Sequence, residues 1–110
     1  MNEPSALAAF AALSQETRLQ IVRLLVQAGP EGMAAGALGE AVGGARSSRI
    51  SFHLAHLEHA GLVTSRREGR FIIYSAAYST LSELIAFLMR DCCQGHPEIC
   101  ASALEAVACP

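Results

Sequence analysis

The stretch SSRISFHLAHLEHAGLVTSRREGRFIIYS, residues 47–75, restricts the fold more than any other part of the chain. Ile50, Leu54 and Leu57 recur at helical spacing, so the first half predicts an amphipathic helix that ends near Gly61. The second half places β-branched and aromatic residues around Glu68-Gly69, a pair that indicates a tight turn between antiparallel strands. A helix that leads directly into a basic hairpin needs packing partners from elsewhere in the chain.

The rest of the sequence supplies these partners as four further helices. Ser14 is predicted to cap the second helix, Gly29-Pro30 to end it, and Gly43-Gly44 to separate the third helix from the fourth. Ser47 or Ser48 can cap the fourth. The predicted helices span residues 5–13, 14–28, 33–42, 47–61 and 78–91. Five helices and two strands in this order predict a mainly α, winged helix-turn-helix fold with a β-hairpin wing.

The size of the chain favours one domain that associates with a second copy. It has 110 residues, of which 52% are apolar, so a core can form. A domain this small buries only a modest share of its surface, and a dimer interface would stabilise it. Gly95 and Pro97 oppose continuation of the last helix, so we divide the chain into a folded domain, residues 1–93, and a flexible tail, residues 94–110. The last helix carries a broad apolar face expected in the core or the dimer interface: Leu81, Leu84, Ile85, Leu88 and Met89.

Nothing in the sequence predicts export or membrane insertion. Charges interrupt every apolar run before it reaches the roughly 18 residues that span a bilayer. The first ten residues, MNEPSALAAF, contain an acidic residue and no basic one, unlike a secretory signal. We therefore expect a cytoplasmic protein whose thiols stay reduced.

The distribution of charge favours nucleic acid as a partner, although the formal net charge is only −2. Residues 44–74 contain five arginines and two glutamates, whereas both flanks are acidic. A local basic patch of this kind attracts phosphates. Arg66, Arg67 and Arg70 in the wing are predicted to contact phosphates or the minor groove. The outward face of the fourth helix is predicted to carry Arg49, Ser51, Phe52, His53 and His56, with helix packing as an alternative role for His53.

Three stretches resemble the ArsR family of metal- and metalloid-responsive repressors. LSQETRLQIVRLL (residues 13–25) is similar to the second helix of that family, SSRISFHLAHLEHAGLV (47–63) to its recognition helix, and REGRFIIYS (67–75) to its wing. The resemblance covers roughly residues 5–90. It implies a homodimer held by the first and last helices, which binds a pseudo-palindromic double-stranded operator and releases it when an inducer binds.

The resemblance also assigns roles on the recognition helix. It implies that Ser47, Ser48, Ser51 and Phe52 occupy the positions that read bases and phosphates. Phe52 departs from the family, in which histidine is common at this position. An apolar ring can contact the methyl group of thymine instead of making a polar contact.

The cysteines indicate the inducer. Family members with a cysteine pair before the helix-turn-helix differ from this chain, which has Met33-Ala34-Ala35 there, and residues 78–91 lack the histidines of zinc sensors. The segment RDCCQGHPEIC, residues 90–100, resembles the subgroup that binds arsenite through thiols at the end of the last helix. Trivalent arsenic is soft and prefers three thiolates. The predicted ligands of As(III) or Sb(III) are Cys92, Cys93 and Cys100, with Cys109 and His96 as alternatives, and no permanent cofactor is expected.

Other functions compete with this interpretation. Methylarsenite needs only two thiols, and His96 could complete a zinc, cadmium or lead site with the three cysteines. Cys92 or Cys93 could instead form a disulfide with Cys100 or Cys109 as a redox switch. A winged helix that binds only protein is a further alternative. A thiol enzyme is not expected, because the sequence has no Cys-x-x-Cys and no phosphate-binding glycine loop.

Overall fold

A computed structural model describes residues 1–43 and 47–92, with side chains for 1–43 and 49–89. The elements follow in chain order: α1 (Glu3–Leu13), α2 (Glu16–Ala28), a 3₁₀ turn (Gly29–Glu31), β1 (Met33–Ala34), α3 (Ala35–Ala41), α4 (Ser47–His59), β2 (Val63–Glu68), β3 (Phe71–Ala76) and α5 (Tyr78–Cys92). This architecture confirms the predicted mainly α, winged helix-turn-helix fold.

The junction between α1 and α2 differs from the prediction by one residue. Gln15, not Ser14, caps α2, and its Oε1 accepts the amide hydrogen of Arg18 at 2.8 Å. Ser14 completes the last turn of α1 instead, where its Oγ donates to the carbonyl oxygen of Ala11 at 3.0 Å. Serine satisfies orphan groups at either end of a helix, so its identity alone does not decide which helix it serves.

The sheet has three strands in the order β1-β3-β2, rather than the predicted two. Met33 and Ala34 were expected in the third helix, but they are extended and pair antiparallel with Tyr74 and Ile73. This pairing satisfies backbone groups on the outer edge of β3. The pairing of β1 with β3 requires glycine at position 32 for two reasons. Gly32 has a φ of 71°, which other residues rarely adopt, and a side chain there would collide with the carbonyl oxygen of Tyr74.

The hairpin turn also lies one residue later than predicted. Glu68 pairs with Phe71, so Gly69 and Arg70 form a two-residue turn. Gly69 has a φ of 62°, which glycine adopts more readily than other residues.

The core lies among α2, α3, α4 and the start of the hairpin. Its largest fully buried side chains are Ile21, Leu25, Leu38, Ile50, Leu54, Leu57, Leu62 and Val63. The predicted stripe of α4 is therefore confirmed. In α5, by contrast, Leu84 is buried whereas Ile85 and Leu88 are 49% and 46% exposed. In the part of the chain that the structure describes, we find no helix with the length and hydropathy needed to cross a membrane.

Candidate nucleic-acid interface

Helix α4 divides into a buried and an exposed face. Ile50, Leu54 and Leu57 anchor it in the core, each no more than 1% exposed. The side chains of Arg49, Ser51 and Phe52, on the same helix, are exposed. Phe52 is 66% exposed, whereas the other large apolar side chains of α4 are buried in the core. The exposed face thus combines a cation, a hydroxyl group and an aromatic ring.

His53 does not lie on the outward face of α4 as predicted. Its side chain is only 8% exposed, and Nδ1 lies 3.3 Å from Nη1 of Arg18 in α2. Burial, followed by the positive charges of Arg18 and Arg49, lowers the pKa of His53 below its usual 6.5. Since a guanidinium only donates hydrogen bonds, the neutral imidazole accepts through Nδ1. His53 therefore supports α4 from inside and is removed from the candidate DNA-contacting residues.

Arg18 joins three helices at this point. Its Nε donates to the carbonyl oxygen of Ala12 at the end of α1, at 2.6 Å. Its backbone belongs to the first turn of α2, and its Nη1 reaches His53 in α4. No role was assigned to Arg18 from the sequence, because it lies among other polar residues at the start of α2, such as Glu16 and Gln20, and nothing in its local pattern sets it apart.

Arg66 in the wing bonds to other parts of the protein through its guanidinium, which stays partly exposed. Its Nε donates to Oε1 of Glu68 at 2.9 Å, and its Nη1 to the carbonyl oxygen of Pro30 at 3.2 Å and to Oγ of Ser75 at 3.1 Å. Its Nη2 donates to the carbonyl oxygen of Glu31 at 2.6 Å. These bonds join β2 to β3 and to the 3₁₀ turn. Four of the five N–H donors with which Arg66 was expected to contact phosphate are thus bonded to the wing and the 3₁₀ turn, although the side chain remains 42% exposed.

Arg67 and Arg70 are two further exposed cations of the wing. Because side chains alternate along a strand, Arg67 lies on the opposite face from Arg66, the same face as Val63 and Ser65. That face adjoins α4, since Oγ of Ser65 donates to Oε2 of Glu58 at 2.8 Å. The wing therefore carries a cation on the side of the sheet that faces α4.

Several predicted site residues lie outside the described part of the chain. These are the side chains of Ser47, Ser48 and Cys92, and the whole of Cys93, His96, Cys100 and Cys109. Among the described side chains, those of residues 1–43 and 49–89, no group of three or more histidines, cysteines, aspartates and glutamates is placed to hold a metal ion. The backbone of α5 reaches Cys92, so the cysteine segment begins at the end of that helix.

Comparison with known proteins agrees with this architecture. Residues 13–66, from the end of α1 to the middle of β2, match a helix-turn-helix domain family. The transcriptional activator HlyU of Vibrio cholerae is 30% identical over 95 residues, which cover 86% of this chain and 84% of HlyU. A solved homodimeric winged helix-turn-helix domain from Mycobacterium bovis, named as a possible ArsR-family regulator, is 32% identical with a TM-score of 0.65, covering 86% of this chain and 83% of that one.

The chain belongs to the ArsR family of winged-helix transcriptional regulators. An ArsR-like regulator from Rhodococcus sp. RHA1 superimposes over 97% of this chain and 96% of its own with a TM-score of 0.72, at 28% identity. The relatives are regulators that bind DNA rather than enzymes.

Two further relatives bear on function. A protein called a possible transcriptional regulator for arsenical resistance is 35% identical, with a TM-score of 0.62 over 71% of this chain and 77% of that one. An uncharacterised regulator of Mycobacterium tuberculosis is 36% identical over 77 residues, 70% of this chain. The match spans 65% of the length of that relative.

Proposed function

We propose that this ArsR-family protein is a transcriptional repressor that binds operator DNA as a homodimer and is released when As(III) or Sb(III) binds Cys92, Cys93 and Cys100. The observation that carries the DNA-binding part is the exposed face of α4, which lies beside a wing with Arg67 and Arg70 at its surface. An α-helix fits the major groove, and a wing beside it reaches the flanking phosphates.

The homodimer is supported by exposed apolar side chains on two helices. Leu7 and Phe10 of α1 are 61% and 38% exposed, and Ile85 and Leu88 of α5 are exposed by nearly half. Helices α1 and α5 contact each other, so these exposed residues lie on neighbouring helices. The homodimeric Mycobacterium bovis domain supports the same assembly.

The inducer is supported by donor chemistry. Three thiols at the end of α5 and just beyond suit a soft trivalent ion better than zinc, which favours four ligands. In this proposal the first ligand lies on the helix that also supplies the dimer interface. Ligation there changes the relative population of two dimer arrangements, only one of which matches successive major grooves. The neighbour called a possible regulator for arsenical resistance supports the same class of inducer. The thiols remain free for ligation in a reducing cytoplasm, the location we propose.

A thiol redox switch is the second candidate. One solved structure of HlyU is named as the reduced protein, and it covers 81% of this chain at 29% identity. That name indicates that HlyU has a reduced state distinct from another state. Because HlyU is called an activator, a separate measurement decides whether this chain activates or represses transcription. A reporter gene placed behind the bound site should rise in expression on arsenite addition if this chain represses.

The decisive experiment measures DNA release. We would select a duplex from a random pool with the purified reduced protein, label it, and follow fluorescence anisotropy during titration with arsenite, methylarsenite, zinc, cadmium and peroxide. Release near one equivalent of arsenite per subunit is expected, and Cys100→Ser should abolish release but keep DNA affinity.

Other results of that titration would contradict the proposal in defined ways. Release by methylarsenite alone would reduce the site to two thiols, and release only by zinc or cadmium would bring His96 into it. Release by peroxide alone would establish the redox switch. Ser102→Cys is a matched control, because it adds a thiol to the same segment and should leave the stoichiometry unchanged.

A further inference from the structure

Phe52 is an exposed phenylalanine in the middle of a helix whose other large apolar residues are buried. It is 66% exposed, while Ile50 and Leu54, two positions away on either side, are 1% and 0% exposed. At 100° per residue, Phe52 lies on the opposite side of α4 from the buried face, in line with Ala55 and His59. Alanine at position 55 leaves the space beside the ring open towards any surface that approaches α4.

The ring of Phe52 rests on a fixed neighbour. Its centroid lies 5.9 Å from that of His53 with an interplanar angle of 66°, an edge-to-face arrangement. His53 is itself buried and hydrogen-bonded to Arg18, which is anchored on the carbonyl oxygen of Ala12. The contact with His53 favours this orientation of the Phe52 ring before any partner arrives, which lowers the entropic cost of using the ring in binding.

We propose that Phe52 is a specificity-determining residue that reads the 5-methyl group of a thymine in the operator, and that Arg18 and His53 are its positioning residues. This inference rests on the proposed binding of operator DNA by α4. The thymine methyl is the apolar feature that a base pair presents in the major groove. A phenyl ring makes no conventional hydrogen bond, so it discriminates through this methyl and not through the donor and acceptor pattern that polar side chains read.

The test removes only the methyl group. A duplex selected by the wild-type protein is resynthesised with deoxyuridine replacing one thymine in each half-site, position by position, which keeps all base-pair hydrogen bonds. At one symmetric position we expect affinity to fall about fourfold per methyl group. Phe52→Ala should bind the thymine and uracil duplexes equally at that position. Phe71→Ala removes a phenyl ring of similar exposure, 63%, from the wing, and should keep the discrimination.

The positioning role has a separate measurement. His53→Gln keeps an acceptor for Arg18 but lacks the aromatic ring against which Phe52 rests, so the thymine preference should weaken while the salt dependence of binding stays unchanged. A purely structural role for His53 would lower affinity for both duplexes equally.

Three results would overturn the inference. One is a uracil penalty that Phe52→Ala retains in full, and another is a selected site in which no thymine methyl affects affinity. The third is failure of the protein to enrich any duplex, which would reject the proposed DNA-binding function together with this inference. The first two leave that function intact, so the two failures are distinguishable.

Discussion

At the scale of single residues, His53 links protonation to folding, because its surroundings in the folded protein favour the neutral imidazole. The imidazole accepts from Arg18 at 3.3 Å and is almost fully buried. Protonation would bring a second positive charge against Arg18 in a desolvated site, with Arg49 and His56 of α4 nearby. The folded state therefore resists taking up a proton that the unfolded chain accepts near pH 6.5.

This arrangement predicts that acid destabilises the protein through His53. A base with a lowered folded pKa leaves stability unaffected above about pH 6.5 and reduces it as the pH falls below that value. We expect the free energy of unfolding, measured by urea denaturation, to fall between pH 7 and 5.5 with a slope from His53 of up to about 1 kcal/mol per pH unit. His53→Gln should flatten this slope, whereas His59→Gln, on the exposed face, should not. Parallel curves for His53→Gln and the wild type would contradict the lowered pKa.

At the scale of elements, the wing is held against the body by Arg66 rather than by packing alone. The four bonds of its guanidinium diverge to β2, β3 and the 3₁₀ turn. Lysine keeps the charge but offers three donors on a single nitrogen, so it cannot reach all of these acceptors.

We expect Arg66→Lys to lower the free energy of unfolding by about 1 kcal/mol, the usual contribution of hydrogen bonds at a partly exposed site. Arg67→Lys, one residue away on the other face of β2, should leave the urea midpoint unchanged. The salt dependence of DNA binding separates the two roles further. Arg67→Gln should reduce the slope of log affinity against log salt, and Arg66→Lys should preserve it. Equal stability of Arg66→Lys and Arg67→Lys would show that the four hydrogen bonds of Arg66 contribute nothing to the free energy of unfolding.

Gly32 controls the approach of β1 to β3. Its φ is 71°, and a methyl group there would overlap the carbonyl oxygen of Tyr74 and lie 2.6 Å from Oγ of Ser75. Gly69 has a similar φ of 62° but nothing within 4 Å of the corresponding position.

The two glycines make a matched pair for measurement. Gly69→Ala should cost about 1 kcal/mol for the left-handed backbone alone. Gly32→Ala should cost about 3 kcal/mol, because the steric overlap adds to the same backbone term. Thermal or urea unfolding of both variants gives the difference. Similar losses in the two variants would mean that β1 moves away from β3 at little cost.

At the scale of the whole molecule, the exposed apolar residues of α1 and α5 indicate that one chain is not the complete functional unit. Within the part of the chain that the structure describes, Leu7 is 61%, Phe10 38%, Ile85 49% and Leu88 46% exposed. In the proposed homodimer these side chains bury each other, and the spacing between the two α4 helices follows from that contact.

We expect Leu88→Glu to convert the dimer into a monomer, because a carboxylate would be buried without a partner at the interface. Light scattering after gel filtration would report the mass, and anisotropy with the selected duplex would report a parallel loss of affinity. Leu19→Glu is the matched control, since Leu19 on α2 is 45% exposed against 46% for Leu88. A dimeric Leu88→Glu would place the interface elsewhere.

The candidate site shows how far sequence patterns extend. The exposed position of Phe52 follows from its spacing relative to Ile50 and Leu54, so the helical period was enough to find it. The same period led us to predict His53 on the outward face, with helix packing as an alternative, and it could not distinguish an outward histidine from the packed one that the structure shows. Burial at the border of a helix depends on which neighbour is there, and here that neighbour is Arg18.

The sequence by itself determined the order of the helices, the hairpin, the buried stripe of α4 and the family. Each of these depends on local periodicity, turn residues or short motifs. Only the tertiary structure decided that Met33 and Ala34 form a strand, that Arg66 bonds the wing to the 3₁₀ turn and that His53 is buried against Arg18. The contacts of Arg66 with Pro30 and of His53 with Arg18 join residues 36 and 35 positions apart. Such contacts depend on how complete elements pack, and no local pattern specifies them.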